Sequence, residues 1–443
     1  MNTKALHPLA AELNATLAKT APTVLALFSD RGRRAFFPSR GILGQSAEAK
    51  SAAINATLGT ASEEDGSALC LECLEALVSL PSESFLYAPS FGLPALREAW
   101  RDQMLKKNPS LRDQSFSLPV VTNALTHALS VAGALFVEPG DAIILPDLYW
   151  DNYELLFHEF YGASLSCFPM FDGSAFNVAG LEHKLEEPGD KKIVLLNFPN
   201  NPTGYTATEA ESRAIVAALR KAADAGQRIV VLLDDAYFGL VYEPGVRTES
   251  LFSDLANLHP NLLAVKMDGP TKEDYVWGFR VGFITFGIRG ADAAALKALE
   301  SKAAGIVRAT ISNASSIGQA MLLKAYQHPE YPRQKEAKYH LLRARYERVR
   351  AIFQAHPEYA TTFVPMPFNS GYFMCVRPIG ADAERVRRRL LEKRRTGVIV
   401  LSGLIRIAFS SVPLAALESL FQNLHETIAE LQSESHSPSN PNP

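Results

Sequence analysis

Cysteine is scarce: Cys70, Cys73, Cys167 and Cys375 are the four in a chain of 443 residues. They are too few and too scattered for a disulfide framework. Cys70 and Cys73 form a C-x-x-C, but the second pair that a structural zinc site needs is missing. The surrounding ALCLECLEALVSL has helical spacing, so a helix face is expected there. Long apolar runs are also lacking, since none approaches the roughly 18 residues of a membrane span. The first residues, MNTKALHPLAAELNATLAKT, have neither the apolar core nor the cleavage site of a secretory signal. A cytoplasmic protein without membrane contact is expected. Nor is there an excess of one charge: 44 Lys and Arg stand against 47 Asp and Glu, a net −3, which gives no general attraction to nucleic acid. The two arginine-rich stretches, 334–355 and 384–395, carry apolar residues at helical spacing and are expected as helices with solvated outer faces. No internal repeat is visible.

At 47% hydrophobic and 21% charged, the composition is that of a globular protein, and its length calls for two domains or more. Short apolar runs alternate with helical patterns through the middle of the chain, as in βαβ units around a mostly parallel sheet. Strands are expected at 117–123, 141–147, 191–204, 227–237, 261–269 and 280–287. Helices are expected after 125, at 151–162, and after the turn at 201–204. Beyond residue 290 helices take over, at 291–306, 312–327 and 334–355. An antiparallel strand pair follows at 363–378, a helix at 384–395 and a strand at 404–410. The last residues, 433–443, read as a disordered tail.

The chemistry gathers at strand C-terminal ends, where ligands bind in open α/β sheets. N-P-T-G (Asn201 to Gly204) ends one strand, D-x-A-Y (Asp234, Tyr237) the next, and G-P-T-K, with Lys272, a third; Trp150 stands beyond a fourth. Each is weak alone. A lysine after a Gly-Pro turn is most often a solvated loop residue, and an Asp at a strand end is often a helix cap. Lys272 can instead be a nucleophilic amine, neutral through burial or a nearby cation. Lys266 and Asp235 are the nearest competitors for the roles of Lys272 and Asp234.

In order and spacing, with Arg280 eight residues after Lys272, these motifs resemble the class I/II aminotransferases, pyridoxal-phosphate enzymes of fold type I. The resemblance runs from about Asn55 to about Ser410. It implies an α/β fold: a large domain at 66–325 with a mostly parallel central sheet flanked by helices, and a smaller α+β domain from 1–65 and 326–432. It implies pyridoxal 5′-phosphate held by Lys272 as a Schiff base, with Asp234 at the pyridine nitrogen, Tyr237 and Asn201 at the phenolic oxygen, and Trp150 on the ring face. The phosphate is expected against Arg280, Thr271 and the backbone of Asn123, Ala124 and Leu125. Tyr87 matches a tyrosine reaching the phosphate from the neighbouring subunit, so a homodimer is implied. Arg406 matches the clamp on the substrate α-carboxylate. Arg308, with Ser312 and Asn313, matches a segment that grips a distal carboxylate across the dimer.

The expected reaction is transfer of an amino group from an L-amino acid to a 2-oxo acid such as 2-oxoglutarate. A lyase or decarboxylase on the same scaffold, or a non-catalytic effector-sensing domain, are the alternatives. The sequence departs from the family at Gly269, where a serine is usual, at Ala124-Leu125, where a glycine is common, and at Asp268 and Pro270. Those departures bear on the phosphate contacts.

Overall fold

The computed structural model describes residues 6–20, 25, 28, 33–35, 41–75, 80 and 82–436. Its centre is a seven-stranded sheet built from Val120–Thr122 (β1), Ala142–Pro146 (β2), Ser164–Phe168 (β3), Lys191–Asn197 (β4), Arg228–Asp234 (β5), Leu262–Asp268 (β6) and Gly282–Ile288 (β7). The strand order is β1-β7-β6-β5-β4-β2-β3. Neighbours run parallel except β7, which is antiparallel to both β1 and β6.

The apolar runs become strands buried on both faces, and their alternation sorts side chains into two cores. Val120, Ile143, Leu145, Ile193, Leu195, Leu232, Val265, Met267, Ile284 and Phe286 pack on one face with helix Ala124–Phe136. Val121, Ile144, Val194, Leu196, Val231, Leu233, Ala264 and Phe283 pack on the other with Trp100 and Ile215. Edge strand β3 was not expected from the sequence; its SLSCF has serines at alternate positions and only its last residue is buried.

A second, four-stranded antiparallel sheet consists of Phe363–Pro365 (β8), Met374–Pro378 (β9), Ile399–Leu401 (β10) and Leu404–Ile407 (β11), in the order β8-β9-β11-β10. The expected pair at 363–378 is β8 with β9. Early chain reaches this sheet: Ile54–Asn55 pairs with Thr396–Gly397, and Gln45 donates to the Val400 carbonyl and accepts from its N–H. That fixes helix Ile42–Glu48 beside the sheet.

Several expectations change. Segment 151–162 forms a π-helix, Glu154–Phe160, rather than an α-helix. Helix Leu417–His436, not anticipated, runs into the stretch read as a tail; 437–443 lie outside the described residues. The arginine-rich helices are not merely solvated. Arg345 is fully buried, pairing with Glu64 at 2.7 Å and donating to the Ser410 carbonyl, and Arg387 is buried between Glu384 and Glu48. Glu64 and Glu48 are distant in sequence, which helical periodicity cannot show; Glu384 lies one turn before Arg387 on the same helix. The helix expected around the C-x-x-C is shorter: Ala68 to Leu71, with Cys70, are not helical, Ala68 bridging Ser62, the helix is Glu72–Glu75, and 76–79 lie outside the described residues; the Cys73 N–H donates to Gln334 Oε1. Among the described residues no helix is long and apolar enough to cross a membrane.

The N-P-T-G turn is clipped to the loop leading into β9. Gly204 has φ +70°, and its carbonyl accepts from the N–H groups of Asn369 and Ser370, each at 2.9 Å. A Cβ on Gly204 would lie 1.8 Å from the Phe373 carbonyl oxygen. Gly204→Ala is therefore expected to lose about 3 kcal/mol or more of stability, from backbone strain plus the forced separation of the two segments. Urea denaturation of the variant checks this.

Candidate active site

Between the C-terminal ends of β4, β5 and β6 and the second sheet opens a cavity of about 410 Å³. The charged side chains lining it are Lys272, Arg280, Arg406 and Asp234, an excess of cations suited to an anionic small molecule.

Strand alternation brings Asp234 here. It ends β5 on the side of Leu232, while Asp235 turns to the opposite face. Asp234 is 3% exposed; Oδ2 accepts from Tyr153 Oη at 2.6 Å and Oδ1 from the Ala236 N–H at 3.1 Å. Burial pushes its carboxyl above the usual range, while the Tyr153 bond and the Lys272 ammonium pull it back. Asn197 donates to the Asp234 carbonyl and accepts from the Asn201 N–H, so the ends of β4 and β5 are cross-braced.

Lys272 lies in the one-turn helix Pro270–Glu273 after β6, its Nζ 5.2 Å from the centre of the buried Tyr237 ring. Burial lowers its pKa, Asp234 opposes and Arg280 assists. Thr271 is buried, and its hydroxyl has no partner among the described residues. Arg280 lines the cavity with φ +53°, a left-handed conformation unusual for a side chain of this size.

Arg406 enters from β11. It is 2% exposed, donates to Asn201 Oδ1 at 3.1 Å and the Thr57 carbonyl at 3.2 Å, and lies 4.5 Å over the Phe373 ring. Its Nε has no partner, and no carboxylate among the described residues forms an ion pair with it. A buried guanidinium left in this state is set for an incoming anion.

Trp150, Ala124 and Leu125 also line the cavity. Trp150 packs edge-on against Tyr153. Asn123 does not line it: it borders a neighbouring groove, and its N–H donates to His127 Nδ1 at 3.1 Å. Tyr87, 92% exposed, and Arg308, exposed and donating to Ser312 Oγ at 2.7 Å, are outside the lining as well. The segments that carry them touch, since Ser90 Oγ donates to the Ser312 carbonyl.

Sequence reasoning missed Tyr153, Asn197, Thr126 and the lip formed by Ile42, Leu43, Ser46, Leu58 and Thr60. Tyr153, three residues after Trp150, carried a signal in the same motif; the lip residues carried none. Asp268 and Gly269 explain two departures. Asp268 points away, accepting from Trp100 Nε1 at 3.0 Å, and a Cβ at Gly269 would come within 3.0 Å of Gly282 Cα and the Val281 carbonyl oxygen.

A family model described as aminotransferase class I and II matches residues 55–424. The chain is 25% identical to an aspartate aminotransferase of Geobacillus stearothermophilus over 369 residues, 76% of this chain and 82% of that one. It is 27% identical to a probable N-acetyl-LL-diaminopimelate aminotransferase of Bacillus subtilis over 54% of its own length and 55%, about half, of the relative's. An aminotransferase structure from Anaerococcus prevotii aligns with a TM-score of 0.78 at 24% identity, covering 91% of this chain and 99% of that one. A Pyrococcus horikoshii kynurenine aminotransferase solved with PMP gives 0.73 at 17% identity, covering 92% and 98%. The likeness to these two structures is one of fold.

Because Asp234 titrates above the ordinary carboxylate range in the fold, the folded chain binds a proton there that the unfolded chain has released. Stability from this group is full below the unfolded pKa, near 4, and is lost as pH rises through the raised one. Asp234→Asn should flatten that decline in cofactor-free protein, as urea denaturation across pH 4–8 would show.

Proposed function

The chain belongs to the class I and II aminotransferases, enzymes that work with pyridoxal 5′-phosphate, and we propose that the cavity around Lys272 is where this one holds the cofactor and exchanges amino groups. The observation that carries the reading is the pairing, in one cavity, of a buried guanidinium with a half-buried amine. Arg406 is a guanidinium with an open donor, and Lys272 is an amine whose pKa burial lowers.

The residues present fit the group. Its aldehyde suits the Lys272 amine, its pyridine nitrogen suits Asp234, its ring suits Trp150 with Tyr237 and Asn201 at the phenolic oxygen, and its phosphate suits Arg280 and the unpartnered Thr271 hydroxyl. Ala124, Leu125 and Thr126 open helix Ala124–Phe136 at the cavity wall, a helix N-terminus that favours an anion. Asn123 is a weaker contributor, since His127 already takes its N–H.

When bound, the cofactor supplies an electrophilic carbon for the amine and a conjugated ring that spreads negative charge. Arg406 holds the donor's α-carboxylate, with Asn201 keeping the guanidinium in plane. Lys272 Nζ, once free and neutral, takes the proton from the donor Cα and returns one to the acceptor Cα in the second half-reaction. Tyr153 donates to Asp234 and so favours its ionised form against burial, the form that would hold a proton on the cofactor's ring nitrogen. The apolar side chains of the lip, Ile42, Leu43 and Leu58, narrow water's approach.

The homodimer is likewise proposed: Phe85, Leu86 and Tyr87 are exposed in succession, and this patch, with Arg308, would reach a second copy's cavity. Among the described residues lining the cavity no further cation is left for a distal carboxylate, so use of 2-oxoglutarate is assigned to Arg308 of the partner subunit. The division into a large domain at 66–325 and a small one from 1–65 and 326–432 is also proposed, supported by one sheet lying within 120–288 and the other within 363–407.

Borohydride reduction followed by peptide mapping should place the pyridoxyl label on Lys272; a label on Lys266 would overturn the assignment. With glutamate and 2-oxoglutarate, Arg308→Leu is expected to lower kcat/KM by about 10²–10³ while sparing uncharged donors. Equal losses on both classes would assign Arg308 to dimer structure instead.

A further inference from the structure

The turn that carries Lys272 has a second side. Glu273 and Asp274, the two residues after it, point away from the cavity and are 4% and 0% exposed. Glu273 Oε1 meets Lys107 Nζ at 2.7 Å and Oε2 meets Lys335 Nζ at 3.0 Å. Asp274 Oδ1 meets the same Lys335 Nζ at 2.6 Å and accepts from Tyr331 Oη at 2.7 Å, while Oδ2 accepts from Tyr326 Oη at 3.0 Å. Every carboxylate oxygen is engaged. Lys335 and Tyr331 come from the long helix Tyr331–Ala355, remote in sequence, and Tyr372 Oη donates to the Lys272 carbonyl at 2.7 Å.

We propose that Lys335, acting through Glu273 and Asp274, is a positioning residue that fixes the Lys272 turn and balances the charge behind its amine. This rests on Lys272 being the cofactor-bearing residue.

Helix Pro270–Glu273 is a single turn, too short to hold itself, so tertiary contacts must orient it. The four carboxylate oxygens next to Lys272 provide those contacts. Burial pushes Glu273 up, but Lys107 and Lys335 outweigh it and hold the carboxyl at about 2, so it stays ionised beside Lys272. Neutralising Lys335 leaves that negative charge undercompensated and favours the protonated form of the Lys272 nitrogen. From the cavity side Asp234, Arg280 and the Tyr237 ring also act on Lys272, and all three remain in the variants below.

The test is a pH titration of the visible absorption of the cofactor-loaded enzyme, with kcat and KM measured alongside. Lys335→Met should raise the titration midpoint by on the order of one pH unit and lower kcat about tenfold with a smaller change in KM. Lys335→Arg should restore both toward the parent values. Glu273→Gln, nearly isosteric, removes a negative charge instead and should move the midpoint down, which keeps the proposal testable if Lys335→Met does not fold. A Lys335→Met protein that loses thermal stability but keeps its midpoint and kcat within about twofold would make the network purely structural and overturn the proposal; an unmoved midpoint in Glu273→Gln would do the same. If Lys272→Ala still shows the parent band, the underlying assignment of Lys272 fails; if Lys272 carries the cofactor and the midpoints do not move, only the positioning role fails.

Discussion

Two consecutive acidic residues at the end of one strand cannot face the same way, and that constraint organises the site. Asp234 continues the face of Leu232 and meets Tyr153; Asp235 continues the face of Leu233 and meets Ser250 Oγ and Lys266. The same alternation along β6 places Lys266 between Asp235 and Asp268, against the core holding Trp100 and away from the cavity. One period-two rule therefore separates the candidates that sequence alone left adjacent.

On the cavity side, charges are left deliberately short of partners. Arg406 has amide and carbonyl acceptors but no carboxylate ion pair among the described residues, and the upward push of burial on Asp234 is only partly offset by a hydroxyl and by a lysine with which it forms no ion pair among the described residues. On the far side the balance is the reverse: Asp235, Asp268, Glu273 and Asp274 all bond to lysines, tyrosines, Ser250 or Trp100. Buried charge is costly unless paired. The paired face supplies rigidity, and the unpaired face supplies affinity for whatever completes it.

What the sequence revealed follows from this division. Apolar runs, as in β4 and β5, were legible because both faces of the strand are buried and no polar residue interrupts the run; in β6 Lys266 alone breaks it. Motif residues fixed by local turn chemistry were legible too: Asn201, Asp234, Thr271 and Lys272 all line the one cavity. Residues whose placement depends on distant pairing were not. Tyr153 reaches Asp234 across 81 positions, and Arg345 reaches Glu64 across 281. No periodicity records such contacts, and a run of arginines reads as a solvated face until the acids opposite are located.

The departures from the family pattern close into a single packing solution. Ala124 holds φ +63° with its carbonyl accepting from Thr122 Oγ1 at 3.0 Å, and a Cβ on Gly282 would come within 2.6 Å of the Ala124 carbonyl carbon. Gly269 in turn lies against Gly282 and Leu125. The strand ends of β6 and β7 and the start of helix Ala124–Phe136 thus meet in close backbone contact, and a side chain at 269 would crowd Gly282, Val281 and Leu125 at 3.0–3.1 Å. Thr271, two residues on, has a buried hydroxyl awaiting an acceptor, and Arg280, in its left-handed conformation, stands at the head of the turn into β7. A lost serine donor and an unusually tight backbone junction are one change seen from two sides.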